Sequence, residues 1–182
     1  MPFERLETRI GGVGLIQPTL IGDQRGFFVE TYRRSGYADL GIDDEFVQDN
    51  HSRSRLGVVR GMHFQPGQAK LVRAARGTII DVICDIRPSS PGFGDWEAVE
   101  LSDVNGHQLY VPDGFAHGFA VTSEVADVTY KVSSYYDPSA ESGFRFDDPQ
   151  VGIAWPDIEL TPSQRDREAP LLSEIRDSLP FR

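Results

Sequence analysis

The sequence predicts an all-β protein, an antiparallel sandwich or barrel with a few short helices. Short apolar or alternating runs recur along it, rich in valine, isoleucine, phenylalanine and tyrosine. Turn pairs such as Gly22-Asp23, Arg76-Gly77, Arg87-Pro88, Pro91-Gly92, Asn105-Gly106 and Asp113-Gly114 interrupt them. Only two stretches read as helical. Many short strands at such spacing fit a closed or two-layered antiparallel architecture.

The elements follow in order. Residues 13–21 form the first strand run, stopped by Gly22-Asp23, and residues 26–32 the next. Residues 35–40 read as a short helical turn. From Gln48 to Gln65, glycine turns mix with polar groups at strand period, so His63 and Gln65 are expected on one face and Phe64 on the other. In a barrel such a face lines the interior. Residues 71–75 and 78–86 are strands parted by Arg76-Gly77. Residues 96–101, 108–111, 117–122 and 125–132 complete the strand runs. Residues 163–179, with Leu171, Leu172, Ile175 and Leu179 as the apolar positions and Pro170 early, read as a C-terminal helix. No linker, repeat or low-complexity tract divides the chain, so residues 1–182 are expected to form one domain.

Charge and cysteine content exclude several classes. With 18 Lys+Arg against 28 Asp+Glu, the formal net charge is −10. Such a surface disfavours nucleic acid and anionic membranes as partners, while a local arginine cluster still suits an anionic small ligand. The single cysteine, Cys84, rules out an intrachain disulfide and a multi-cysteine zinc site, and its apolar run makes it a buried hydrophobe. Met1-Pro2-Phe3-Glu4-Arg5 lacks the apolar core of a signal peptide, and no run is long enough to span a bilayer. A cytoplasmic protein is the expectation.

Three stretches carry chemistry. The first runs from Gln48-Asp49-Asn50-His51-Ser52 through Arg60-Gly61-Met62-His63-Phe64-Gln65 to Lys70-Leu71-Val72. The second is Pro112-Asp113-Gly114-Phe115-Ala116-His117-Gly118-Phe119. The third joins Tyr130-Lys131 to Tyr135-Tyr136-Asp137-Pro138 and Glu141. The first two resemble the paired motifs of cupin barrels, whose metal-binding members carry two histidines and a glutamate in the first and one histidine in the second. Here Gln65 stands at the second histidine and Lys70 near the glutamate. Lysine is a cation at neutral pH, and His63 with His117 alone make a poor metal site, so no metal is expected. A base fits better. His63 can take a proton from a carbon beside a ketone while Lys70 stabilises the enolate oxygen. A tyrosine on the opposite wall, Tyr130 or Tyr136, can return a proton to the other face and so invert the centre.

Nearly the whole chain resembles the dTDP-4-dehydrorhamnose 3,5-epimerase family. The resemblance runs through Asp23-Gln24-Arg25-Gly26-Phe27-Phe28-Val29-Glu30, Gln48-x-Asn50-x-Ser52 and the two histidine motifs. It continues through Asp81-Val82-x-x-Asp85-x-Arg87, Tyr136-x-Pro138-x-x-Glu141, Asp148-Pro149, Ile153-x-Trp155-Pro156 and Ser163-x-x-Asp166. It implies a cupin-type jelly roll acting as a homodimer without metal or cofactor on a dTDP-4-keto-6-deoxyhexose. It also implies His63 as proton acceptor with Asp166 as its carboxylate partner, Tyr130 as acid, and Lys70 at the C4 ketone oxygen. Arg25 and Arg60 are implied at the diphosphate. Phe28, Glu30, Gln48 and Asn50 would hold nucleotide and sugar, with His117, Tyr136, Glu141 and Arg165 as further contacts.

Competing roles accompany these. Asp81 and Asp85 are rival partners for His63, and Tyr135 and Tyr136 are rival acids. Arg25 and Glu30 can pair with each other, Phe27 and Phe28 suit a core, and His51 and His107 read as solvent-facing. Three other activities fit the same residues: epimerisation at one carbon only, a metal-dependent cupin oxygenase, and a sugar-binding jelly roll without turnover.

Overall fold

The computed structural model describes residues 2–181, so the two ends of the expected 1–182 domain lie outside it. The chain begins with β1 (Phe3–Leu6), β2 (Gly14–Pro18) and the hairpin β3 (Leu20–Asp23) and β4 (Gly26–Val29). A short helix, α1 (Arg34–Ala38), precedes β5 (Gln48–Arg55), β6 (Val58–Phe64), β7 (Lys70–Arg76) and β8 (Thr78–Asp85). Next come β9 (Trp96–Ser102), β10 (Gln108–Val111), β11 (Phe115–Val121) and β12 (Val125–Val132). Two short strands, β13 (Ser142–Gly143) and β14 (Thr161–Pro162), and two short helices, α2 (Gln164–Glu168) and α3 (Leu172–Ile175), close the chain.

The strands form two main sheets, in the orders β1-β2-β10-β7-β12-β5 and β13-β6-β11-β8-β9. Pairing is antiparallel except where β14 joins β6. This is the expected all-β antiparallel class. Val72, Leu109 and Val128 of the first sheet meet Ile79, Ile83 and Phe119 of the second in the main core. The outer face of the second sheet is buried as well, because Phe144, Leu172 and Leu179 cover Met62, Val82, Cys84 and Ala116. Phe3, Tyr37 and Ile42 likewise cover Leu71 and Tyr110 of the first sheet. Burial on both faces explains why 78–86 reads as a continuous apolar run instead of an alternating one.

Several local expectations change. The run 13–21 divides at Thr19 into β2, in the first sheet, and β3, in the separate hairpin. The polar strand β5 does not read as an apolar run. Its inner residues face a cavity and its outer ones face solvent, so hydrophobicity carries no signal there. The single helix expected over 163–179 is instead α2, α3 and a 3-10 turn (Arg176–Ser178). Pro170 excludes helical backbone at Ala169, which sits at ψ 151°. Phe27 and Phe28 are 59% and 68% exposed and belong to no core, because their hairpin pairs with neither main sheet.

Candidate active site

Between the sheets lies a cavity of about 660 Å³, lined by residues of β5, β6, β7, β11, β12, the segment after β12, and α2. A bulge decides which residues of β6 reach it. On β11, His117 and Phe119 are two apart, yet they pair with His63 and Arg60, which are three apart. The extra residue on β6 rephases its alternation, so Arg60 and His63 both line the cavity. Gly61 makes the bulge possible. It has φ +138°, and a Cβ there would lie 2.5 Å from Gly118 Cα.

His63 pairs with Asp166 through Nε2 at 2.5 Å, leaving Nδ1 as the nitrogen available to a ligand. Asp166 sits in the first turn of α2, whose N-cap Ser163 accepts its backbone N–H. Burial pushes the Asp166 carboxyl up, but hydrogen bonds from His63, Ser163 and the Gly61 amide, with the His63 charge, outweigh it and hold the carboxyl below its ordinary value. A buried carboxylate on the far ring nitrogen fixes the tautomer and stabilises the imidazolium that proton uptake creates.

Asp81 and Asp85, the rival partners, are engaged elsewhere. Asp81 is fully buried on β8 and pairs with His117 Nε2 at 2.5 Å. Asp85 accepts three hydrogen bonds from Arg87, one of them from its backbone N–H, and another from Ser90. Two carboxylate-backed imidazoles, His63 and His117, therefore line the cavity from the adjacent strands β6 and β11.

The opposite wall carries Tyr130, on β12. Burial first, then the Glu141 carboxylate, raises its phenol, and Arg60 opposes them. The phenol keeps its proton at neutral pH, as an acid requires. Lys70 opens β7 deep in the cavity. Burial pushes its ammonium down to about 8 against the pull of Glu141, Asp113 and Asp81. Among the described residues its Nζ makes no hydrogen bond or ion pair.

Gln48 and Asn50 line the cavity from β5 and bond to each other at 2.9 Å. Tyr136 O–H donates to Glu141 at 3.1 Å, and Arg165 bonds the same carboxylate at 2.5 Å. Eleven of the expected site residues thus surround one cavity: His63, Tyr130, Asp166, Lys70, Gln48, Asn50, Arg60, His117, Tyr136, Glu141 and Arg165. Arg25, Phe28 and Glu30 do not line it. Arg25 pairs with Asp23 and Glu30 with Arg33, not with each other. Tyr135 is 72% exposed and outside the cavity.

Gln65 lies past the end of β6 and outside the cavity, so it does not share the His63 face. His51 is exposed beside Asp127, as expected, whereas His107 is half-buried. Ser52, Gln68 and Phe119 line the cavity without having been singled out as ligand contacts. Strand period from Gln48 and Asn50 points to Ser52. No local pattern points to Gln68, which lies in a turn.

A family model described as dTDP-4-dehydrorhamnose 3,5-epimerase matches residues 7–174. The chain belongs to the dTDP-4-dehydrorhamnose 3,5-epimerase family. It is 47% identical over 174 residues to the dTDP-4-dehydrorhamnose 3,5-epimerase of Salmonella typhimurium, covering 93% of this chain and 95% of that one. The dTDP-6-deoxy-D-glucose-3,5-epimerase of Legionella pneumophila, solved with dTDP-4-keto-L-rhamnose, superposes with a TM-score of 0.95 at 44% identity, covering 99% and 98% of the two chains. A dTDP-4-dehydrorhamnose 3-epimerase of Streptomyces niveus is 41% identical over 173 residues, 93% of this chain and 84% of its own. Members of the epimerase family are isomerases, and the cupin-type fold expected from the motifs is the fold of the solved Legionella relative.

Proposed function

We propose that this chain epimerises dTDP-4-dehydro-6-deoxy-D-glucose at C3 and C5 to dTDP-4-dehydro-L-rhamnose, the step leading toward dTDP-L-rhamnose. The observation that carries the proposal is His63, backed by Asp166 on one wall of a cavity that Tyr130 lines from the other sheet. His63 Nδ1 removes the proton beside the C4 ketone. The electron pair moves onto the ketone oxygen, where the Lys70 ammonium stabilises the enolate. Tyr130 O–H delivers a proton to the opposite face, inverting the carbon and restoring the ketone. C3 and C5 flank the same carbonyl, so one set of groups serves both. Arg60 supplies a guanidinium for the diphosphate. Exchange with water then removes the His63 proton and returns one to Tyr130, so protons and electrons balance without a cofactor or metal. We place this chemistry in a single cytoplasmic domain. Among the described residues, no helix is long and apolar enough to cross a membrane.

Incubating the protein with dTDP-4-keto-6-deoxyglucose in deuterium oxide tests the proposal. Deuterium is expected at both C3 and C5, and its absence from both, in folded protein, refutes the reading. The Streptomyces niveus relative, by its name a 3-epimerase, keeps a one-carbon alternative in view. Deuterium at C3 alone selects it.

We also propose a homodimer in which the β3–β4 hairpin reaches a second copy's cavity. Ile21, Phe27 and Phe28 are 63%, 59% and 68% exposed on this hairpin, an apolar surface that a partner would bury. Arg25, Phe28 and Glu30 would then contact substrate in the partner's site, although they miss their own. Sedimentation is expected to give twice the 20.3 kDa chain mass. Phe28→Glu is expected to shift the protein toward monomer and raise KM about tenfold or more. A monomeric wild type defeats the dimer proposal.

A further inference from the structure

We propose that Gln65 is a positioning residue, holding Tyr136 and Glu141 at the cavity mouth through residues 134–137. Gln65 is 6% exposed, and every polar group of its side chain is engaged. Its Nε2 donates to Ser134 Oγ at 3.2 Å and to the Tyr135 carbonyl at 3.0 Å. Its Oε1 accepts the Asp137 N–H at 2.9 Å. The segment it grips has no regular secondary structure, so no strand or helix ladder satisfies its backbone.

Two other glutamines complete the grip. Gln68 Nε2 donates to the Ser134 carbonyl at 3.0 Å, and Gln48 Oε1 accepts the Tyr136 N–H at 3.0 Å. Gln65 is the central member, because it touches both sides of Tyr136. Beyond it, the Asp137 carbonyl accepts the N–H groups of Ala140 and Glu141 and turns the chain back to the cavity. Fixing Asp137 therefore fixes Glu141, which receives both Tyr136 and Arg165. Arg165 is the neighbour of Asp166 on α2, so the brace also ties this segment to the helix that carries the His63 partner.

The chemistry specifies glutamine. The position needs two donors on one terminal atom and an acceptor on the other, at full side-chain reach. Glutamate keeps the acceptor for Asp137 but turns lone pairs toward the Tyr135 carbonyl. Histidine, the residue of metal-binding cupins here, offers one donor at most to this face.

The test compares wild type, Gln65→Glu and Gln68→Ala by amide hydrogen exchange and steady-state kinetics. The kinetic arm rests on the proposed function; the exchange arm does not. In Gln65→Glu, the amides of Tyr136, Asp137, Ser139, Ala140 and Glu141 are expected to exchange about tenfold faster or more, with β8 and β11 still protected. KM is expected to rise about 10- to 100-fold while kcat stays within about fivefold, since the base and acid are untouched. Gln68→Ala, which loses bonds only to Ser134, is expected to move the same quantities about threefold and serves if Gln65→Glu does not fold. An undisturbed segment, or an unchanged KM beside a loosened one, overturns the proposal. If wild type itself shows no turnover, the functional reading fails instead, and exchange alone decides the brace.

Discussion

Replacing His63 with alanine is expected to lower turnover about 10⁴-fold, because the epimerisation has no other base so placed. The substitution also strips Asp166, 4% exposed, of its imidazole, at a stability cost of about 1–3 kcal/mol. His63→Gln separates the two effects, because its Nε2 reaches to where the ring Nε2 meets Asp166. Its amide still donates to Asp166, so the melting temperature should stay near wild type while deuterium wash-in disappears. Asp166→Asn acts through the ring. An amide no longer holds the productive tautomer, and a loss of about 10²–10⁴ in kcat is expected with little change in KM. Tyr130→Phe gives a different signature. His63 can still remove a proton and return a solvent-derived one to the same face. Deuterium therefore enters without inversion. Inverted product from Tyr130→Phe at wild-type rate would move the acid role to Tyr136. Turnover within tenfold of wild type in both His63 variants would remove His63 as the base.

Lys70 sets the alkaline limit. Its ammonium, pushed down to about 8, must be charged to meet the enolate oxygen. The expected kcat/KM falls as pH rises through about 8, since this ratio reports the free enzyme. The kcat limb should lie higher, because a bound diphosphate favours the charged amine. Lys70→Met is expected to lower kcat about 10²–10³-fold and to abolish that limb. Stability moves the other way. The folded pKa lies below the unfolded one, so between about 8 and 10.5 the unfolded chain binds more protons and wild-type stability rises with pH. Below that window the buried ammonium costs the fold on the order of 2 kcal/mol. Lys70→Met should then melt about 5 °C higher than wild type at pH 7, and the gap should narrow as pH rises from about 8 toward 10.5. A wild-type rate that is flat from pH 7 to 9, or a destabilised Lys70→Met, would contradict this account.

Fold class, most strand runs and eleven residues of the cavity follow from local pattern and ordered motifs. Alternation and turn residues act between near neighbours, so they are written in short windows of sequence. Contacts over long separations are not. Local pattern leaves Asp81 and Asp85 as rivals to Asp166 for His63; the family motif favours Asp166, and the packing of α2 beside β6 brings it to the ring. Strict alternation sends Arg60 and His63 to opposite faces; the bulge opposite Gly118 brings them together, and it depends on how closely β11 approaches. Gln65 looks like a lapsed metal position until the segment after β12 folds against it. Arg25, Phe28 and Glu30 carry the family motif yet lie away from their own cavity, on a hairpin outside both main sheets. Short-range patterning makes the walls of the barrel, whereas packing of distant segments chooses which side chains meet inside it.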